Sequence, residues 1–170
     1  HPWHSLDGDL SAVEATIATA DAVGEIGLDF ACDIGCETQI GIFRAQLAIA
    51  ERYEKPVVLH CVRAFEEVMK IVADYHLKAV IFHGFISSKE QAQRAVHQGY
   101  YLSFGERTFR SPKTIEALRS TPLSSLFVET DESPTPIEEI YAKIAEIRGI
   151  SVAKLIAATE ENFNRIFRTV

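Results

Sequence analysis

The chain has 170 residues, 47% hydrophobic and 24% charged, with a formal charge of −7 at pH 7. That size and balance suit a globular protein able to bury one substantial core, and the acidic excess argues against a broad basic surface gripping nucleic acid by counterion release. No apolar run approaches the roughly 20 residues that span a bilayer, and no basic, hydrophobic leader opens the chain. The expectation is a cytoplasmic protein, one domain over residues 1–170, with no membrane partner; the oligomeric state is not legible.

The first element, AVGEIGLDF at 22–30, reads as a strand that carries two carboxylates among apolar neighbours. Side chains alternate along a strand, so Ile26, Leu28 and Phe30 are expected on one face and Glu25, Gly27 and Asp29 on the other. An unpaired buried carboxylate costs several kcal/mol, so Glu25 needs a cation, a hydrogen-bond network or water. Ile42, Phe43, Leu47 and Ala50 then recur at helix spacing, as do Phe65, Val68, Met69, Val72 and Tyr75. Between and after them, PVVLHC at 56–61, AVIFHGF at 79–85, GYYLSFG at 99–105 and LFVETD at 126–131 read as further strands. Helix starts are signalled by Ser88 with Gln91, by Ser111 before Pro112, and by Thr135 before Pro136 with Glu138 beyond. Gly149 suits the end of the helix that follows Pro136.

Near-continuous apolar strands alternating with helices imply parallel βαβ units. The early strands are followed by no glycine-rich phosphate fingerprint, and polar residues gather at the carboxyl ends of several strands. The expected fold is therefore an α/β chain forming a (β/α) TIM-type barrel. A full barrel takes about 250 residues, so only part of one is expected, incomplete at the N-terminus. The chain starts at His1 and its sole methionine is Met69, which reads as a processed or truncated polypeptide. Cys32, Cys36 and Cys61 are too few for a disulfide scaffold and lack zinc-site spacing, so unpaired thiols are expected.

Four residues of metal-ligand type fall on four strands: Glu25, His60, His83 and Asp131. A lone histidine near a strand end is ordinarily a hydrogen-bonded structural residue. Four such groups converging at one mouth of a parallel barrel suit a divalent ion such as zinc, manganese or magnesium.

At these residues the sequence resembles the TatD family of metal-dependent deoxyribonucleases, a branch of the amidohydrolase-like TIM barrels. HPW at 1–3 is similar to the family's His-Pro-His turn, GEIGLD at 24–29 to its glutamate strand, and FRAQLAIA at 43–50 to the helix after it. PVVLH, IFHGF, ETD and ENFNRIF at 161–167 then recur in family order. The resemblance implies that Glu25 bridges two metal ions, that His60 and His83 ligate one of them, and that Asp131 is a ligand near the attacking water. Glu25 and Asp131 are then the catalytic residues, and His1 and Arg63 touch phosphates. Asp29 stands either as an outer hydrogen-bond acceptor or as a charge at the barrel rim.

The sequence departs from the family at Trp3, where a second turn histidine is usual, and at Val62, where an arginine is common, with Arg63 one position later. ETD runs into Glu132, Ser133 and Pro134, where many members carry alanine and proline. The family's first-strand His-x-His pair has no counterpart after His1, so the resemblance places that strand upstream. The longer protein is expected to bind two divalent ions (Mg, Mn or Zn) and to cleave phosphodiester bonds in DNA, exonuclease-like. Two other readings stay open: a metal-dependent hydrolase of a small ester or amide, and a catalytically silent binding or structural module.

Overall fold

The computed structural model describes residues 1–4 and 10–168. Strands and helices alternate: α1 (Ser11–Thr16), β1 (Val23–Asp29), α2 (Cys36–Arg52), β2 (Val57–Val62), α3 (Phe65–Val72), β3 (Val80–Phe82), α4 (Lys89–His97), β4 (Tyr101–Phe104), α5 (Pro112–Ser120), β5 (Leu126–Val128), α6 (Ile137–Arg148) and α7 (Val152–Phe167). The strands follow chain order, β1-β2-β3-β4-β5, as expected of successive βαβ units. No helix among the described residues is long and apolar enough to cross a membrane. The chain divides into two compact units, His1–Ile81 and Phe82–Val170.

In the first unit β1 pairs parallel with β2, Ile26 opposite Leu59 and Gly27 opposite His60. Its core is Leu28, Phe43, Leu47, Val57, Leu59, Val68 and Ile71, all buried. The strict alternation expected of β1 fails here. The register shifts between Val23 and Ile26, an extra residue that re-aims the strand where Glu25 sits. As a result Glu25 is exposed, while Gly27, Leu28 and Asp29 are all buried. Gly27 has φ +137°, and a Cβ there would lie 2.0 Å from the carbonyl oxygen of His60. Only glycine lets β1 approach β2 this closely.

In the second unit β4 pairs parallel with β5, Leu102 opposite Leu126, over a core that includes Phe104, Leu118, Ile140, Ile144 and Leu155. Two strands end earlier than their apolar runs suggest. β3 stops at Phe82, before Gly84 at φ +52°, and β5 stops at Val128, before Asp131 at φ +51°. Left-handed backbone terminates extended structure, so His83 and the ETD residues stand on the loops just beyond the strands. Ser88 and Ser111 cap α4 and α5 as expected, accepting from the Gln91 and Thr114 amides. Gly149 closes α6 in left-handed conformation. Thr135 does not cap α6, which begins at Ile137 with Pro136 in the cap position.

The ENFNRIF segment lies in α7 and has a structural task. Asn162 is 1% exposed, and its Nδ2 donates to the carbonyls of Leu123 at 2.8 Å and Leu126 at 2.9 Å. Asn162→Leu leaves both carbonyls buried without that donor, so a loss of about 2 kcal/mol in unfolding free energy is expected. Urea denaturation measures it; a loss under about 0.5 kcal/mol, the scale of an ordinary surface substitution, would show that α7 docks without this bond.

Candidate metal centre

In the first unit the carboxyl end of β2, the exposed bulge of β1 and the turn at His1 converge. His1, Glu25 and His60 each offer a ligand atom within 4.8 Å of the others. His1 Nε2 lies 3.2 Å from His60 Nδ1 and 3.5 Å from Glu25 Oε2, and His60 Nδ1 lies 4.0 Å from Glu25 Oε2. Of these, the His60 nitrogen and the Glu25 carboxylate are donor atoms of the kind a divalent cation takes, with His1 Nε2 beside them.

Asp29 decides which nitrogen of His60 is available. Its Oδ2 lies 3.2 Å from His60 Nε2 and accepts from Trp3 Nε1 at 2.7 Å, while Oδ1 accepts from the Ala31 amide at 2.8 Å. Burial pushes the Asp29 carboxyl up, but these hydrogen bonds outweigh it and hold the group below its ordinary range. With Nε2–H donated to this carboxylate, Nδ1 carries the lone pair that faces Glu25. Asp29 is thus a buried acceptor behind His60, not a charge at the rim.

Asp29 is itself held by Gln39, whose side-chain amide copies a neighbouring strand. Gln39 Oε1 accepts from the Asp29 amide at 2.7 Å, and Nε2 donates to the Asp29 carbonyl at 2.8 Å and to the Ile34 carbonyl at 2.8 Å. Gln39 escaped sequence reasoning. The available signal was a glutamine on the apolar face of α2, since Gln39 and Gln46 are buried beside Ile42 and Phe43.

Asp29→Asn replaces an acceptor oxygen with an NH₂ that cannot accept from both Trp3 and His60. The expected result is a metal affinity about 10- to 100-fold weaker, measured by competition with a chelator. Unchanged affinity would remove Asp29 from the centre.

The His1 ring is oriented differently. Its Nδ1 accepts from the Trp3 amide at 3.2 Å, which puts the proton on Nε2 in the neutral ring. That proton points at His60 Nδ1 and Glu25 Oε2, so in this tautomer His1 Nε2 is a hydrogen-bond donor. Arg63 follows β2 in left-handed conformation, φ +52°, with an exposed side chain. The space beside His1 and Glu25 is a cleft of about 260 Å³ whose wall includes Ile17, Val23 and Gln46.

In the second unit His83 and Asp131 each present a ligand atom within 4.8 Å of the other. Glu129 stands behind His83: its Oε1 accepts from the Gly84 amide at 2.5 Å and lies 3.7 Å from His83 Nδ1. Asp131 is exposed on the wall of a cleft of about 190 Å³ between the Glu106–Arg110 turn and the loop through Pro134. Ser133, a departure from the family pattern, ties that loop to the turn. Its hydroxyl donates to Glu106, which also accepts from Arg110 at 2.7 Å, and these bonds hold Glu106 below the usual carboxylate range. Cys32, Cys36 and Cys61 are unpaired, and burial pushes the Cys61 thiol up to about 12.

Parallel strands in chain order with helices between them, and histidines and carboxylates of metal-ligand type at or near the strand ends, are the arrangement of the (β/α)-barrel metal-dependent hydrolases. The chain belongs to the TatD related DNase family, whose pattern it matches over residues 1–168. It is 37% identical to the uncharacterized metal-dependent hydrolase YjjV of Escherichia coli, over 98% of this chain and 71% of that protein. It is 30% identical to the 3'-5' ssDNA/RNA exonuclease TatD of E. coli, over 98% of this chain and 75% of that one. The crystal structure of E. coli YjjV superposes with a TM-score of 0.83 at 29% identity, covering 94% of this chain and 68% of that chain.

Proposed function

We propose that the chain, as a single domain over residues 1–170, is a metal-dependent phosphodiesterase that removes nucleotides from single-stranded or frayed DNA ends. The observation that carries the proposal is the convergence of His1 Nε2, Glu25 and His60 Nδ1, with the opposite nitrogen of His60 engaged by a buried carboxylate. Family membership and the exonuclease name of the E. coli relative support the choice of substrate.

In this reading Glu25 and His60 of the first unit and His83 and Asp131 of the second are the residues that would hold divalent ions, two in all, Mg, Mn or Zn. When bound, such ions supply Lewis acidity, lowering the pKa of water and neutralising charge on the phosphate. The chain's own groups do the rest. Asp29 holds His60 in the tautomer and orientation a ligand needs. Glu25, exposed on its bulge, keeps a carboxylate where a cation can reach it. Asp131 takes the proton of the attacking water, and His1 and Arg63 donate to phosphate oxygens. The three thiols, free of disulfides, suit the reducing cytoplasm in which the proposal places the protein.

The test is hydrolysis of end-labelled oligonucleotides by the protein loaded in turn with each metal, alongside small carboxylic and phosphate esters. Stepwise shortening of single strands is the expected result. Turnover of small esters with intact oligonucleotide would overturn the nuclease reading and leave a small-molecule hydrolase.

A further inference from the structure

We infer that Trp3 is a stacking platform for the nucleobase next to the phosphate held at His1. The inference rests on the nuclease reading above and adds a base-recognition element to that site. A half-exposed tryptophan alone is unremarkable on a protein surface. What singles out Trp3 is how it is held. The residue is 50% exposed, yet its indole Nε1 donates at 2.7 Å to Asp29 Oδ2, an acceptor on a carboxylate that is 4% exposed. Its backbone amide donates to His1 Nδ1. Its ring lies edge-to-face with both imidazoles of the site, with centroids 4.7 Å from His1 and 5.7 Å from His60.

A ring fixed at its polar edge loses little further freedom when a flat ligand covers its open part. Base–aromatic stacking therefore adds to affinity nearly undiminished, whatever the base identity, because every base has a π-face. The edge-to-face contacts to His1 and His60 put this surface directly beside the ring that, in the nuclease reading, contacts a phosphate. A histidine at this position, as in the family's usual turn, offers a smaller ring. Trp3 thereby gives this chain a base-dependent grip on single strands, where bases are unpaired and free to stack.

Trp3 is the only tryptophan in the protein, so intrinsic fluorescence reports this residue alone. The experiment titrates the full, metal-loaded chain with a short single-stranded oligodeoxynucleotide whose phosphorothioate linkages resist turnover. A second titration uses the same oligomer made abasic at both terminal nucleotides. Expected are saturable quenching by the base-bearing oligomer, little quenching by the abasic one, and affinity for the base-bearing oligomer about tenfold weaker in Trp3→Ala. Trp3→Phe keeps an aromatic face but loses the bond to Asp29, and is expected to recover most of the base preference. Equal binding of the two oligomers, no oligomer binding at all, or a Phe variant as weak as the Ala variant overturns the inference; in the last case the Nε1 bond, not stacking, accounts for the effect. A protein that shortens oligonucleotides without base-dependent quenching sinks only this inference, whereas one that leaves them intact sinks the nuclease reading itself.

Discussion

Glu25→Gln is expected to lower turnover by on the order of 10²-fold or more while leaving the folded state nearly untouched. Glu25 stands on the bulge of β1 with 39% of its side chain exposed, and glutamine matches its shape. Exposed substitutions of this kind ordinarily change stability by no more than about 0.5 kcal/mol. The lost charge is another matter. Two imidazoles near the site, His1 and His60, bring no negative charge when neutral, so within this cluster of the first unit Glu25 alone offsets a divalent ion. Elemental analysis, thermal melting and oligonucleotide hydrolysis on the same preparations separate the two effects. Matching losses in melting temperature and activity with unchanged metal content would mean that Glu25 is a structural residue.

Gly27→Ala is expected to do the reverse and remove the fold along with the activity. The new Cβ would lie 2.0 Å from the His60 carbonyl oxygen and 3.0 Å from its carbonyl carbon, at a φ of +137° that side chains rarely adopt. Backbone cannot move aside as a flexible side-chain tip can. β1 must separate from β2 where Gly27 faces His60, at a cost of about 4 kcal/mol or more. Gly41→Ala is the control: it lies within α2, has nothing within 4 Å of its added Cβ, and is expected to stabilise by about 0.5–1 kcal/mol. Chemical denaturation of both variants tests the pair. A Gly27→Ala protein that unfolds at the wild-type denaturant concentration would show that the β1–β2 approach is slack.

The sequence by itself determined the alternation of strands and helices, because apolar periodicity and cap chemistry act within a few residues. Ser88 and Ser111 cap their helices through amides three positions on, and Gly149 turns left-handed at the end of α6. It also determined which side chains are of ligand type, since imidazoles and carboxylates at the ends of apolar runs stand out against their neighbours. It did not determine how β1 faces its partners. The extra residue between Val23 and Ile26 exists only relative to β2, and period-two reasoning therefore grouped Asp29 with Glu25, when Asp29 is buried behind His60 and Glu25 is exposed. The same holds for the bonds that Trp3 and His60 make to Asp29, from 26 and 31 residues away. A local pattern carries no record of which distant group satisfies a buried carboxylate. Only the tertiary structure decided that pairing, because the cost of leaving Asp29 unpaired is settled by whatever packing brings into reach.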